Sequence, residues 1–345
     1  TGHRAMALIR DARGPQAAEA LADAVQRLRA GYLVAMPTET VYGLAADADR
    51  PGAVARIFAA KGRPSDHPLI VHIGGATPPE REAALTHYAA AVPDYARALM
   101  AAFWPGPLTL ILPRQPGVAE AAAGGQASIG LRCPAHPVAQ ALLAACHGAG
   151  IRGLAAPSAN RFGRVSPTQA AHVAAELGAL SDAELLILDG GACPVGIEST
   201  IVDCTRAEPV LLRPGMIGRA QLERTLGRLV RDRDAHAPRA SGTLASHYAP
   251  QAKVRLMDAA ELQTALDLLG AQARDLAVYH RSPLRCVSAH VRLRPMPMEP
   301  EAAARELFAS LRELDDGQTR LIWVERPPAD AAWDGVRDRL QRAAA

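Results

Sequence analysis

Twice along this 345-residue chain, short apolar runs bounded by Gly or Pro alternate with segments of helical period, and each round is long enough to close a sheet of its own. In the first round the periodicity predicts helices over 16–30, 51–60, 136–146 and 167–177, and strands over 32–36, 67–73, 108–112, 128–132, 185–188, 199–204 and 209–213. Several of those strands follow one another with no helix between, so a mixed rather than purely parallel sheet is expected. A further helical pattern, 219–229, leads into RDRDAHAPRASGTLASHYAP, whose Pro, Gly and Ser read as a linker. The second round begins at Lys253, with strands expected over 253–257, 276–280, 287–293 and 321–324 and helices over 259–269, 300–314 and 334–343. The expected division is therefore a large domain over 16–218, a linker over 219–252 and a smaller α/β domain over 253–345.

Composition narrows the function classes. Hydrophobic residues make up 49%, charged residues 21% and aromatics 4%, with a formal net charge of +3, as for an ordinary globular chain without a basic tail for nucleic acid. TGHRAMALIR has neither the apolar core nor the cleavage site of a signal peptide, Thr1–His3 read as a cloning remnant, and a cytoplasmic protein is expected. The uncharged run from Ala98 to Pro113 is broken by Trp104-Pro105-Gly106-Pro107, which argues against a membrane span. The five cysteines form no CxxC pair, which suits reduced thiols, and Cys133 with His136 lacks the second pair a metal site needs. All but two of the 38 basic Lys and Arg residues are Arg, so Lys61 stands out, because a compact ammonium on a flexible stem suits a phosphate or a small reacting group.

No GxxxxGKS/T loop and no GxGxxG after a strand is present. Instead, polar groups recur at the ends of expected strands, where open α/β sheets gather ligands. They are Thr38, Thr40 and Tyr42 after the first strand; Lys61 and Arg63 in KGRP; His67 and His72 around HPLIVHI; Ser128 and Arg132 in SIGLRCP; Ser158 and Asn160 in PSAN, with Ser166; Ser199 in ESTIVD; and Arg213 in LRPG. Each alone has a structural use: PTET as a capped turn, Lys61 and Arg63 as a helix C-terminus, the histidines as satisfied core residues. Together, four cations among hydroxyls suit a phosphate-bearing ligand.

Seven segments in order, PTETVYGLAADA, KGRPSDHPLIVHI, FWPGPLTLIL, GLRCPAHP, APSANRFGRVSPT, GIESTIVD and LLRPGMI, resemble the YrdC-like family of threonylcarbamoyl-AMP synthases, over about 16–218. SHYAP followed by a small α/β domain resembles its longer, two-domain members, although Leu244, Ala245 and Ser246 stand where such members often carry basic residues. The resemblance implies a YrdC-like twisted mixed sheet with flanking helices and a smaller C-terminal Rossmann-like α/β domain. It implies a nucleotidyltransferase that makes threonylcarbamoyl-AMP and pyrophosphate from L-threonine, bicarbonate and ATP, with Mg²⁺ entering with ATP. The product would pass to a tRNA threonylcarbamoyl transferase that modifies adenosine next to the anticodon. No membrane association and no stable nucleic-acid complex are expected; the alternative is a noncatalytic RNA-binding YrdC-like protein. By the same resemblance, Lys61 and Tyr42 are catalytic, at the bicarbonate and carbamate end; Thr40, His72, Arg132, Ala156 and Ser199 bind threonine; Arg63, His67, Ser128, Ser158, Asn160, Ser166, Arg213, His247 and Tyr248 bind ATP. His247 and Tyr248 would act as a lid, and Gly43 would permit close backbone approach.

Overall fold

The structure, a computed structural model, describes residues 6–345, so the expectation for Thr1–His3 lies outside the described residues. The chain forms two compact units. One holds the chain up to Phe162, Ser166–Pro194 and Glu198–Thr243; the other holds Gly163–Val165, Val195–Ile197 and Leu244–Ala345. Residues 219–243, expected as linker, thus belong to the first unit, and 244–252 to the second.

The first unit runs, in chain order, β1 (Leu8–Asp11), α1 (Ala17–Arg29), β2 (Leu33–Met36), β3 (Gly43–Asp47), α2 (Pro51–Lys61), β4 (Val71–His72), α3 (Pro78–Tyr88), α4 (Asp94–Phe103), β5 (Leu108–Pro113), β6 (Ser128–Arg132), α5 (Pro137–Gly148), β7 (Leu154–Ala155), α6 (Ala170–Leu177), β8 (Leu185–Asp189), β9 (Thr200–Asp203), β10 (Val210–Arg213), α7 (Arg219–Leu226) and β11 (Arg231–Asp232). Its strands form one mixed sheet in the order β1-β8-β2-β3-β7-β4-β6-β5-β9-β10-β11. Parallel pairs such as β2 with β8 and β5 with β9 are mixed with antiparallel ones such as β2 with β3 and β5 with β6. The all-buried LVAM of β2 and LLIL of β8 place this part of the sheet in the core. One cluster of buried residues includes Leu44, Ile57, Val71, Leu110 and Leu131, and a second joins α1 and α5 through Leu28, Leu142 and Leu186.

Local chemistry sets the elements that matter to the site. Pro51 opens α2, where its missing N–H costs nothing, and Gly62 closes it in the left-handed conformation at φ 66°, so Lys61 is the last helical residue. Thr77 and Glu80 form a capping box at the start of α3, which with α4 adds two helices beyond the periodicity reading. HPLIVHI pairs over only two residues, Val71 and His72, because Pro68 has no N–H to offer a ladder, although Leu69 N still donates to Ala122 O at 2.8 Å.

The second unit runs β12 (Lys253–Met257), α8 (Ala259–Leu269), β13 (Leu276–His280), β14 (Arg292–Pro295), α9 (Pro300–Leu314), β15 (Leu321–Glu325) and α10 (Asp334–Ala344). Its four strands are all parallel, in the order β12-β15-β13-β14. The strand expected at 287–293 begins at Arg292, because Ser288 Oγ bonds Ala273 O at 2.6 Å and accepts from His290 N at 3.1 Å, which holds that stretch out of the ladder. No described helix is long and apolar enough to cross a membrane.

Candidate active site

The run MPTETVYGLAADA is a turn between two paired strands. After β2, Thr38 Oγ1 accepts from Thr40 N and Val41 N, each at 3.2 Å, and the chain returns as β3 with Met36 opposite Gly43. An added Cβ at Gly43 would lie 3.0 Å from Ala156 Cβ, so the close approach it permits is to the chain at 156–158, where Gly43 bridges Ser158. Ala156 is buried beside it and donates its N–H to Ile70 O.

The turn delivers Thr40 to Arg132. The Arg132 guanidinium donates from Nη1 to Thr40 Oγ1 at 2.9 Å, from Nε to Gly106 O at 3.2 Å and from Nη2 to Glu39. His72 lies opposite Arg132 in the β4–β6 register, with its Nδ1 lacking a hydrogen-bond partner among the described residues. Burial first, and the Arg132 charge second, push its pKa down to about 3, so the imidazole is neutral at working pH.

A second set of groups lies on the same unit. Lys61 is 2% exposed, and its Nζ donates to Ser158 O at 2.6 Å and Asn160 O at 2.5 Å rather than to the end of its own helix. Burial, with Arg63 next in weight, holds its pKa well below the ordinary lysine value. Arg63 donates to Pro68 O at 2.7 Å and lies over the Phe162 ring at 5.6 Å, while His67 meets that ring edge-on at 5.2 Å. The His67 pKa is lowered by burial and by Arg63. Arg213 donates to Ser199 O at 2.9 Å, Ser199 Oγ at 3.2 Å and Ser241 O at 3.1 Å, and Ser199 Oγ is 2.7 Å from Thr109 Oγ1. The Arg213 geometry rests on a register shift between Leu211 and Arg213, which seats Arg213 opposite Ile201. Ser128 and Gly130, alternate residues of β6 with Arg132, share a shallow depression with Thr109, Ile201 and Ser241. The polar groups therefore run across one face of the sheet as well as along its strand ends. Ser166 Oγ donates to Glu198 at 2.9 Å.

The other expected positions, Tyr42, His247 and Tyr248, have partners of their own. Tyr42 is fully buried; its hydroxyl donates to Gly191 O at 2.8 Å and accepts from Gly190 N at 3.1 Å, and burial raises its pKa. His247 and Tyr248 belong to the second unit, where the Tyr248 ring stacks on Phe308 at 5.5 Å with the Arg339 guanidinium 5.7 Å away. His136, not an expected site residue, caps α5, its Nδ1 accepting from Val138 N at 3.0 Å.

Glu39, Thr109, Phe162, Glu198 and Ser241 join this network without having been expected from sequence. Glu39 carries a signal: it is the lone charge between Met36 and Ala46. Ser241 carries none, for it lies in the stretch that reads as linker.

The Sua5/YciO/YrdC family profile, described as telomere recombination, matches residues 26–215, and the profile for the threonylcarbamoyl-AMP synthase C-terminal domain matches residues 217–345. The threonylcarbamoyl-AMP synthase of Bacillus subtilis is 36% identical over 334 residues, spanning 94% of this chain and 92% of that protein. The threonylcarbamoyl-AMP synthase of Pyrococcus abyssi is 42% identical over 236 residues, spanning 67% of this chain and 66% of that protein. The crystal structure of P. abyssi Sua5 complexed with L-threonine matches with a TM-score of 0.85 and 33% identity, over 98% of this chain and 97% of that one. Buried cations set among hydroxyls and main-chain carbonyls of one unit with a mixed sheet define a class of α/β protein whose site suits a phosphate-bearing ligand by charge and position. Within it, the chain belongs to the YrdC-like family of threonylcarbamoyl-AMP synthases, in the two-domain form.

Proposed function

We propose that this protein is a nucleotidyltransferase that condenses L-threonine, bicarbonate and ATP into threonylcarbamoyl-AMP and pyrophosphate, for threonylcarbamoyl modification of tRNA adenosine next to the anticodon. The observation that carries this reading is the convergence of Arg63 and Arg213 on Ser241, at 3.5 Å and 3.1 Å, in the same unit as the Arg132–Thr40 pair.

The chemistry needs such an arrangement. The threonine amine takes up the carbon of bicarbonate with loss of water. One oxygen of the resulting N-carboxylate attacks the α-phosphorus of ATP; the bond from that phosphorus to the bridging oxygen breaks, and pyrophosphate leaves. Two anions must meet, so the step needs cations that spread phosphate charge and fixed donors that align the reactants, rather than an enzyme nucleophile. We assign Lys61 and Tyr42 to the carbamate end, Tyr42 by holding the 189–191 loop in place. Thr40, His72, Arg132, Ala156 and Ser199 are assigned to threonine, and Arg63, His67, Ser128, Ser158, Asn160, Ser166 and Arg213 to ATP.

Mg²⁺ is proposed to enter with ATP, where it would supply charge neutralisation for the phosphates. Glu198 accepts from Ser166 Oγ and Asp203 Oδ1 accepts from Thr205 N and Oγ1; neither is assigned as a ligand and no step depends on the ion. Delivery of the product to a tRNA threonylcarbamoyl transferase and a cytoplasmic setting belong to the same proposal. The names of the relatives and the L-threonine complex of P. abyssi Sua5 support the catalytic reading over a noncatalytic RNA-binding one.

Purified protein given ATP, bicarbonate and L-threonine should release pyrophosphate, and omission of any one should abolish release. Release that persists without threonine, or none with all three and Mg²⁺ present, would defeat the proposal.

A further inference from the structure

We infer that Glu39 is a positioning residue that fixes the plane of Arg132 for the carboxylate of the amino-acid substrate; the inference rests on the assignment of Arg132 to that carboxylate. All three guanidinium nitrogens are held, from two separate parts of the chain: Nε by Gly106 O, and Nη1 and Nη2 by the adjacent Thr40 Oγ1 and Glu39 of one turn. Gly106 and Thr40 are neutral acceptors. Glu39 is the one carboxylate bonded to Arg132 among the described residues.

Glu39 is itself held. Its second carboxylate oxygen accepts from Ala135 N at 2.8 Å, so the group spans from the chain just past β6 to the end of the Arg132 side chain. The two side chains are 8% and 4% exposed, which leaves little room for either to swing. An arginine has five N–H donors in one plane. Three are committed here, and the direction of the remaining two follows from those three. Recognition of a carboxylate by two parallel bonds needs that plane fixed, whereas attraction of an anion by charge alone does not. The buried Glu39 charge also offsets the cation, so the pair draws an amino acid through directed hydrogen bonds more than through net charge. Glu39 touches none of the three substrates in this account; it acts through Arg132.

The test uses the full chain and two ligands, L-threonine and L-threoninamide, which lacks the carboxylate. Dissociation constants are measured by calorimetry for wild type, Glu39→Gln and Glu39→Asp, with ATP binding measured on the same preparations. Wild type should bind L-threonine in clear preference to the amide. Glu39→Gln should weaken L-threonine by about tenfold or more, the scale of a hydrogen bond to a charged group, and leave the amide and ATP within about twofold. Glu39→Asp keeps the charge but loses reach, so it should move the same way by less; it carries the test alone should Glu39→Gln fail to fold. Folded variants that keep the full preference for L-threonine would overturn the role of Glu39. So would parallel losses for L-threonine, the amide and ATP, which would mark a purely structural residue. A wild type without preference would instead remove the assignment of Arg132 and the inference with it.

Discussion

Lys61 sits between two main-chain carbonyls, in a setting where burial disfavours its charged form, and the anionic carbamate is the group that would turn that cost into binding. Lys61→Ala should lower the steady-state rate of pyrophosphate release by about a hundredfold or more, the scale of a lost charge contact in a transition state. A rate near that of wild type would reduce Lys61 to a packed helix-end residue. His72 carries a pH prediction. Its folded pKa of about 3 lies below the ordinary value of 6.5, so between these values the unfolded chain binds more protons, and stability falls as pH drops from 6.5 toward 3. The thermal midpoint of wild type should therefore fall more steeply over that range than that of His72→Gln; identical slopes would show that His72 is not a source of the acid sensitivity. The cations and hydroxyls of this site were legible as residue types at segment ends. The partners were not, because Glu39, Thr109 and Ser241 reach Arg132, Ser199 and Arg213 only once distant strands are brought side by side.

At the scale of elements, period and turn chemistry carried most of the information. Helices over 259–269 and 300–314 and strands over 128–132, 253–257 and 276–280 stand where the pattern placed them. The misses have local causes: Pro68 shortens β4, a Ser288 turn delays β14, and the bulge in β10 that aims Arg213 depends on pairing with β9. Spacing did hold one clue to the face-wise layout, since Ser128, Gly130 and Arg132 alternate along SIGLR. The LRPG turn is constrained by space. A Cβ on Gly215 would lie 2.6 Å from Thr200 N and Oγ1 and 3.0 Å from Glu198 O, which flank Ser199. Gly215→Ala should cost about 1–3 kcal/mol, the usual penalty for overpacking, and weaken ATP binding as Ser199 and Arg213 are displaced. An unchanged melting curve with unchanged ATP affinity would contradict that placement.

For the molecule as a whole, two rounds of alternation foretold two α/β units, but not where the chain divides. Gly163–Val165 and Val195–Ile197 join the second unit from within the first part of the chain, a discontinuity no composition shift announces. Gly196 shows the dependence: at φ 89° its absent Cβ would stand 2.5 Å from Arg305 Cα. Gly196→Ala should therefore lower the midpoint of the transition reported by Trp323 and Trp333, read by fluorescence in a chain whose Trp104 is replaced by Phe; an unshifted midpoint would show that the segment is dispensable to its unit. The central claim is that the large unit gathers its cations and hydroxyls to join three small molecules in one adenylate. Mass spectrometry of the nucleotide formed from ATP, L-threonine and isotopically labelled bicarbonate tests it most directly. The predicted result is threonylcarbamoyl-AMP carrying the label, absent when threonine is omitted and much reduced in Lys61→Ala. A product without the label, or AMP with no attached amino acid under conditions that preserve adenylates, would contradict it.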